Sequence, residues 1–582
     1  MSPRILVAIG CLAALTAGCS PSHYTADADR EVYGIVADTS AKTLGRVHDF
    51  TVRPPVDLPE MLEAARSKPR MPAPAAPERP TPPADAEVEV EQQTTFEALV
   101  PENLPPPVPE PGPDAARLAM ADALRVAVRA SREHQTQKET MYLTALALTF
   151  ERYLFRPHPF ATGTVDFANE FADGRQRSWD PAADVGVTQA LADGAVVAGS
   201  IGITALKYLN RELGDTVDSA LDFSLTQPLW RGAGRKIVQE NLLQAERNAV
   251  YAIRTFARFE QEFAVSIASQ YLRVLQQRDV VMNNWQNYLS LKRGRERAEW
   301  LAKAERMAEF QVDQARQDEL TAYNQWVVER ENYVNTLDAF KITLGIPLTA
   351  EVALEPRELT RLGAAGLQQR EFDLEDATAK ALGTRLDLAN TREGLEDANR
   401  RILIAEDDLK GDVDLVASMG YVSRGDQPQS ARIALSRGDY SVGFDIDLPV
   451  DRLSERNALR ETQITRQVAA RALDLARDNV VLDVRRAGRR LEQARESYEI
   501  QQRSVALAER RVDSTQMLLQ AGRATQRDVL EAQRALLTAR NALTGALVNH
   551  TIAGLEFEQD VGTLAVDEEG QIHGWILTDD GR

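Results

Sequence analysis

A long run of small and apolar residues is the strongest constraint on this chain. Val480, Val484, Ala487, Leu491, Ala494, Tyr498, Gln501, Val505, Ala508, Val512, Thr515 and Leu519 follow one another at spacings of four, three, four, three throughout. Only Gln501 and Thr515 are neither apolar nor aromatic. This 3.5-residue period keeps one seam of a helix turned toward a neighbour. A helix over about residues 454–519 would be on the order of 100 Å long, far beyond a globular helix. The seam resumes at Val529, Ala532, Leu536, Ala539, Leu543, Ala546, His550, Ala553 and Phe557. Its many alanines let neighbouring helices sit close. Between the two runs lies Ala521-Gly522-Arg523-Ala524-Thr525. Gly522 suits a left-handed cap, and Thr525 with Asp528 forms a capping box. The pattern predicts an antiparallel helical hairpin that turns at Gly522 and Thr525.

The chain also looks duplicated. Phe223-Ser-Leu-Thr-Gln-Pro-Leu-Trp-Arg231 lines up with Phe444-Asp-Ile-Asp-Leu-Pro-Val-Asp-Arg452 through phenylalanine, proline and arginine. Asp318, Leu320, Ala322, Arg330 and Leu337 line up, at a slightly different offset, with Asp528, Leu530, Ala532, Arg540 and Leu547. Matches in the same order with similar periodicity point to two repeats, 114–348 and 376–562, joined by 349–375 and followed by a tail, 563–582. Each repeat reads as helix, strands, proline, long helix, tight turn, long helix. In the first copy the helical pattern gathers around Phe256, Phe259, Phe263 and Ile267. It resumes after residue 314, which puts the first turn at Asp313–Gln317, without a glycine.

Four stretches alternate apolar and polar residues. They are Ala161–Phe171, Leu221–Gln227, Val413–Ser423 and Tyr440–Leu448. One face carries residues such as Val165, Phe223, Met419 and Phe444. The other carries Asp166, Glu170, Asp222, Asp414, Asp445 and Asp447. Strands of roughly 9–11 residues cross a bilayer at a tilt, with one face for lipid and one for a watery lumen. A soluble sheet packed on helices alternates in the same way. Two points weigh against that here. Coiled-coil-like helices leave no compact layer to cover a sheet, and four strands are too few for a barrel, so a membrane reading needs several chains. The apolar run Ala195–Leu206 could extend a strand or form a further hairpin.

The N-terminal end reads as a secretory signal over residues 1–18, with Arg4 before an apolar stretch, Ile5–Leu15. Thr16-Ala17-Gly18-Cys19 resembles a bacterial lipoprotein cleavage box, with Thr16 in place of the usual leucine. The cysteines are Cys11 and Cys19. Cleavage would leave Cys19 alone to carry acyl chains and no internal disulfide. In this resemblance, Ser20 after the cysteine suggests sorting to the outer membrane. Within the segment 19–113, residues 54–113 are proline-rich and read as an extended tether. A net charge of −19 argues against a nucleic-acid partner.

Taken together, the chain resembles the TolC family of outer-membrane efflux proteins over about residues 115–562. The resemblance is carried by Gln227-Pro-Leu-Trp-Arg-Gly-Ala-Gly-Arg235, Leu344-Gly-Ile-Pro347, Arg385-Leu-Asp-Leu388, Leu448-Pro-Val450, Gly522 through Asp528-Val-Leu-Glu531, and Leu555 to Gly562. It implies an α+β membrane protein that assembles as a homotrimer. Each protomer would give four strands to a shared twelve-stranded outer-membrane β-barrel, and its helices would form a hollow periplasmic α-helical barrel. Pro228 and Pro449 would mark the strand-to-helix transitions, since proline ends a strand ladder. The implied function is a passive exit duct of a tripartite efflux or type I secretion system. A periplasmic adaptor and an inner-membrane pump of RND, ABC or similar type would open its periplasmic end. The family narrows that entrance with acidic residues. Here Asp528, Glu531 and, in the first copy, Asp318 would play that part. Asp528 has the helix cap as its alternative role, and Glu531 a solvated surface. Leu519 and Ala524 depart from the polar latch of relatives, for which Arg523 and Arg527 could substitute.

The search for catalytic chemistry is negative. His23, His48, His134, His158, His550 and His573 lack metal-ligand spacing with another His or Cys. Gly232-Ala-Gly234 lacks the third glycine of a dinucleotide loop. No Gly-x-Ser-x-Gly elbow occurs. No cofactor is expected. The competing reading is a lipid-anchored periplasmic coiled-coil scaffold, or an adaptor, without a pore. It accounts for the helices and the tether but not for bilayer-length strands in two matching pairs.

Overall fold

The computed structural model describes residues 21–47, 50–52, 63, 106–109, 112, 115–170, 176–209, 216–367, 373–423 and 433–574. Cys19, the signal segment, most of the proline-rich stretch, Phe171 and the end of the C-terminal tail lie outside the described residues.

The described elements begin with helix α1 (Pro21–Leu44), then strand β1 (Ala116–Leu118) and helices α2 (Met120–Ala130) and α3 (Arg132–Tyr153). Four strands follow: β2 (His158–Glu170), β3 (Gln176–Ala190), β4 (Val196–Tyr208) and β5 (Thr216–Pro228). A short helix α4 (Arg235–Val238) leads into the long helix α5 (Glu240–Lys303) and its return α6 (Glu309–Leu344). Strand β6 (Val352–Leu354) and helices α7 (Arg357–Ala365), α8 (Leu374–Thr384) and α9 (Leu386–Asp407) connect to β7 (Asp412–Ser423) and β8 (Ile433–Asp447). The second long pair, α10 (Leu453–Gln520) and α11 (Gln526–Val561), completes the fold. These elements form two compact units interleaved along the chain.

The first unit takes Met1–Thr51, Glu139–Phe256 and Leu386–Asp478. Its centre is one antiparallel sheet in the order β2-β3-β4-β5-β7-β8. Six strands stand where the alternating stretches predict four. The extra two, β3 and β4, form a hairpin inserted between β2 and β5. Sequence alternation marks β4 only weakly, because Gly199 and Gly202 interrupt its faces, and β3 carries Pro181 and Ala182 where a strand pattern wants branched side chains. In the same unit α1 packs against α3. Val32, Ile35 and Val36 are buried, Tyr33 meets Phe50 and Tyr142 edge-on, and the Tyr142 hydroxyl donates to Asp29 at 2.8 Å. A buried carboxylate, Asp397 on α9, ties that helix to α5. It accepts from Tyr251 at 2.8 Å, from Arg247 at 3.2 Å and from Gln244 at 3.1 Å. Burial and the hydrogen bond to Asp397 push the Tyr251 phenol up to about 12.

The second unit takes Val52–Lys138, Ala257–Arg385 and Asn479–Arg582. Its core gathers Ile267, Tyr271, Leu272, Leu275, Trp326 and Phe340 with Leu547, Val548 and Leu555. β1 and β6 pair in parallel beside it, and the Tyr271 hydroxyl donates to Leu118 O at 3.1 Å. The heptad seam of the sequence is the buried stripe: Val480, Val484, Ala487, Tyr498 and Val512 on α10, and Val529, Ala532, Ala539, Ala546 and Phe557 on α11. His550 lies buried in that stripe, and burial lowers its imidazole pKa.

The first helical turn corrects the sequence expectation. It lies at 304–308, and Asp313–Gln317 is continuous helix within α6. Glu305 itself adopts φ 55°, and Arg306 N–H closes the end of α5 on Leu301 O at 2.8 Å. A residue other than glycine in the left-handed region hides such a turn from a search for glycine.

Candidate functional site

Two places carry the candidate functional residues, one in each unit. The first is the tip of the second hairpin. Gly522 has φ 71°, and Arg523 N–H reaches back to Leu518 O at 2.8 Å, which ends α10. Thr525 is the N-cap of α11, and a reciprocal capping box joins it to Asp528. The Asp528 carboxylate accepts from Thr525 N at 2.8 Å and from its hydroxyl at 2.6 Å. These bonds hold the carboxyl below its usual range, with Arg527 and Arg511 adding to the effect. Glu531 lies one turn further along the same side of the helix and pairs with Arg511 of α10 at 2.7 Å. Both acids are exposed, whereas Val529, Leu530 and Ala532 between and beside them are buried. The helix thus turns a pair of carboxylates outward while its apolar side packs. Arg511 is bonded to Glu531, while Asp528 is held by Thr525.

The third predicted acid behaves differently. Asp318 is buried on α6 and accepts a short charge-assisted hydrogen bond from Arg534 of α11, while its other oxygen has no partner. The two hairpins can be matched through their backbone landmarks. The left-handed residues Glu305 and Gly522, the N-caps Ala308 and Thr525, and the left-handed C-caps Gly345 and Gly562 all share one spacing, and α6 and α11 have 36 residues each. On that match Asp528 corresponds to Gln311, Glu531 to Gln314 and Asp318 to Ala535. The sequence pairing of Asp318 with Asp528 is therefore out of step with the structure. A legible signal was present: Leu301 and Ala304-Glu305-Arg306 mirror Leu518 and Ala521-Gly522-Arg523.

The second place is the six-stranded sheet. Its register puts Phe167, Trp179, Val185, Ile201, Leu221 and Phe223 on one face with Met419, Tyr440, Val442 and Phe444. This face is bare: Phe167 is 62% exposed, Tyr440 84% and Phe444 66%. The opposite face collects carboxylates. Asp166 stands across from Asp180, Asp414 from Asp445, and Asp412 from Asp447, with Asp184 and Asp222 between. Like charges facing each other across a ladder need water or counterions. Pro228 ends β5 opposite Asp414, and Pro449 follows the end of β8. Beyond Pro228 the corner is held by Asp407, which accepts from Gly232 N at 2.7 Å, and by Arg231 on Asp412 at 3.3 Å. After Pro449, Asp451 accepts from Leu453 N at 3.0 Å and starts α10.

Among the described residues, no group of three or more His, Cys, Asp or Glu could hold a metal ion, and no helix is long and apolar enough to cross a membrane.

The model of the outer membrane efflux protein family matches residues 377–562. No curated protein sequence matches the chain. Solved structures share its fold. The Campylobacter jejuni CmeC outer membrane channel aligns with a TM-score of 0.57 at 14% identity over 76% of this chain and 85% of its own. CusC, described with its transmembrane channel formation, aligns with 0.56 at 13% over 80% and 99%. The open Neisseria gonorrhoeae MtrE outer membrane channel aligns with 0.55 at 13% over 76% and 89%. The chain thus shares the fold of solved outer-membrane channels, and its residues 377–562 match the outer membrane efflux protein family.

Proposed function

We propose that this chain is a passive exit duct in the outer membrane, working as a homotrimer. The observation that carries this reading is the sheet: one continuous apolar face left bare, and one acidic face. Lipid would cover the first, and a water-filled lumen would solvate the second. A periplasmic scaffold or adaptor without a pore has no use for such a face. The helices would form the periplasmic conduit. A periplasmic adaptor and an inner-membrane pump, of RND, ABC or similar type, would open its end and supply the energy. Cys19, acylated after removal of residues 1–18, would add a lipid anchor. The repeats 114–348 and 376–562 would each bring strands and one hairpin.

Asp528 and Glu531 form the proposed periplasmic gate. Three copies would bring two tiers of carboxylate around one axis. They would draw cations and repel each other when the entrance narrows. Asp318, spent on Arg534 inside the protomer, serves packing and is not part of the gate.

The test is single-channel conductance of purified protein in a planar bilayer, comparing wild type with Asp528→Ala/Glu531→Ala. The expected result is a small, cation-selective current that grows or loses selectivity in the variant. A pore untouched by the substitutions removes the gate and leaves the duct. Folded trimers of both proteins that never conduct would overturn the duct in favour of the scaffold.

A further inference from the structure

The sheet ends in two open edges. Among the described residues β2 is hydrogen-bonded only to β3, and β8 only to β7. Both edges are long, at 13 and 15 residues. A long edge beside a bare apolar face invites another strand. β2 carries Pro159 at its start and charge at Asp166 and Glu170, and the run Phe160–Val165 between them is free of both.

The geometry of these edges fits a second copy of this chain. Every neighbouring pair in the sheet is antiparallel, so β2 and β8 run in opposite directions. β8 of one copy can therefore continue the ladder onto β2 of the next. The faces agree as well, with Val165 and Phe167 joining Val442 and Phe444 on the apolar side. On the polar side, His158 at the start of β2 would come to the end of β8 that carries Asp445 and Asp447, whose carboxylates can accept from its ring N–H.

The inserted hairpin belongs to the sheet. β3 and β4 fill the space between β2 and β5. Their turn is seated against the corner that leaves β5. Gly234 N–H donates to Asp193 O at 3.2 Å. Gly194 has φ 100°, and a Cβ there would stand 2.8 Å from Pro228 Cγ and 3.0 Å from Gly232 O.

We propose that β2 and β8 form the seam between copies, and that three copies of this six-stranded sheet close an eighteen-stranded barrel instead of a twelve-stranded one. This rests on the trimeric duct proposed above. Barrel diameter grows roughly linearly with strand number, so the barrel would be about half as wide again as one of twelve strands. Barrels of that size leave an aqueous channel. The membrane section would then be a wide outlet, and control of passage would fall to the periplasmic end.

Electron cryomicroscopy of the full chain in lipid nanodiscs tests this directly, with a variant lacking residues 176–209 beside it. Removing β3 and β4 leaves β2 and β5 antiparallel, with their apolar faces on the same side, so the shortened sheet can close on itself. The expected rings have eighteen strands for wild type and twelve for the deletion, a diameter ratio of about 1.5. A wild-type trimeric pore of twelve strands, with β3 and β4 outside the ring, overturns the inference and leaves the duct standing. Trimers without any ring overturn both. Should the deletion fail to fold, the wild-type ring alone decides.

Discussion

Thr525 and Asp528 close the cap of α11, and Asp528 is also one of the two acids of the proposed gate. The carboxylate caps α11 and also faces outward at the hairpin tip. Its folded pKa is depressed, so the cap's contribution is present above the ordinary carboxylate range and is lost as pH falls through the folded value. Protection factors of the amides at residues 525–530 should therefore fall below about pH 4. Thr525→Ala should produce the same loosening at neutral pH, because it removes the hydroxyl that both gives to and takes from this cap. Unchanged exchange in the variant would mean that the tip is held by packing alone. The dual role also shapes how Asp528→Ala is read. That variant removes charge and cap together, whereas Glu531→Ala removes charge and the ion pair to Arg511 but leaves the cap.

At the scale of elements, the two hairpins reach one geometry by different chemistry. The second turn uses Gly522 at φ 71° with open space around it, and the first uses Glu305. The C-caps Gly345 and Gly562 share the left-handed conformation, but at Gly345 an added Cβ would lie 2.1 Å from Ala130 O. Gly345→Ala thus meets both backbone strain and a backbone clash, whereas Gly522→Ala meets strain alone. The first should lower stability by well over about 1 kcal/mol and the second by about 1 kcal/mol. Thermal unfolding of the two variants side by side checks the order. The same comparison explains what could be read from the sequence. A seam repeating every 3.5 residues made α10 and α11 legible, and glycine with Thr525 made their turn legible. The first turn was hidden because a glutamate does the work of glycine. Of the β3–β4 hairpin only the apolar run Ala195–Leu206, now β4, was legible; β3 was hidden because Pro181 and its alanines blur alternation in a strand whose neighbours supply the order.

At the scale of the molecule, the acids at the hairpin tip were readable by residue type, but Asp318 was not separable from them until its partner was seen. Burial against Arg534 is a tertiary fact that no local pattern carries. The two-faced sheet offers a test of the whole reading. Val442 and Ser441 are neighbours on opposite faces of β8. Val442→Arg would put a charge toward lipid, at a cost of about 2–4 kcal/mol near the bilayer midplane. It should sharply reduce membrane-integrated protein. Ser441→Arg should insert normally and lower cation selectivity. Equal insertion of both variants would count against a lipid-facing sheet. The sheet has one more consequence, for the order of events during biogenesis. β2 to β5 is a local meander, and β7–β8 a local hairpin, but Phe223 pairs with Met419 only after the whole first helical hairpin has been made. Joining the two pieces means closing a very long loop, which is slow. Until then each half waits with unpaired strands and a greasy surface, so the interval before the halves join is when the chain is most prone to aggregate.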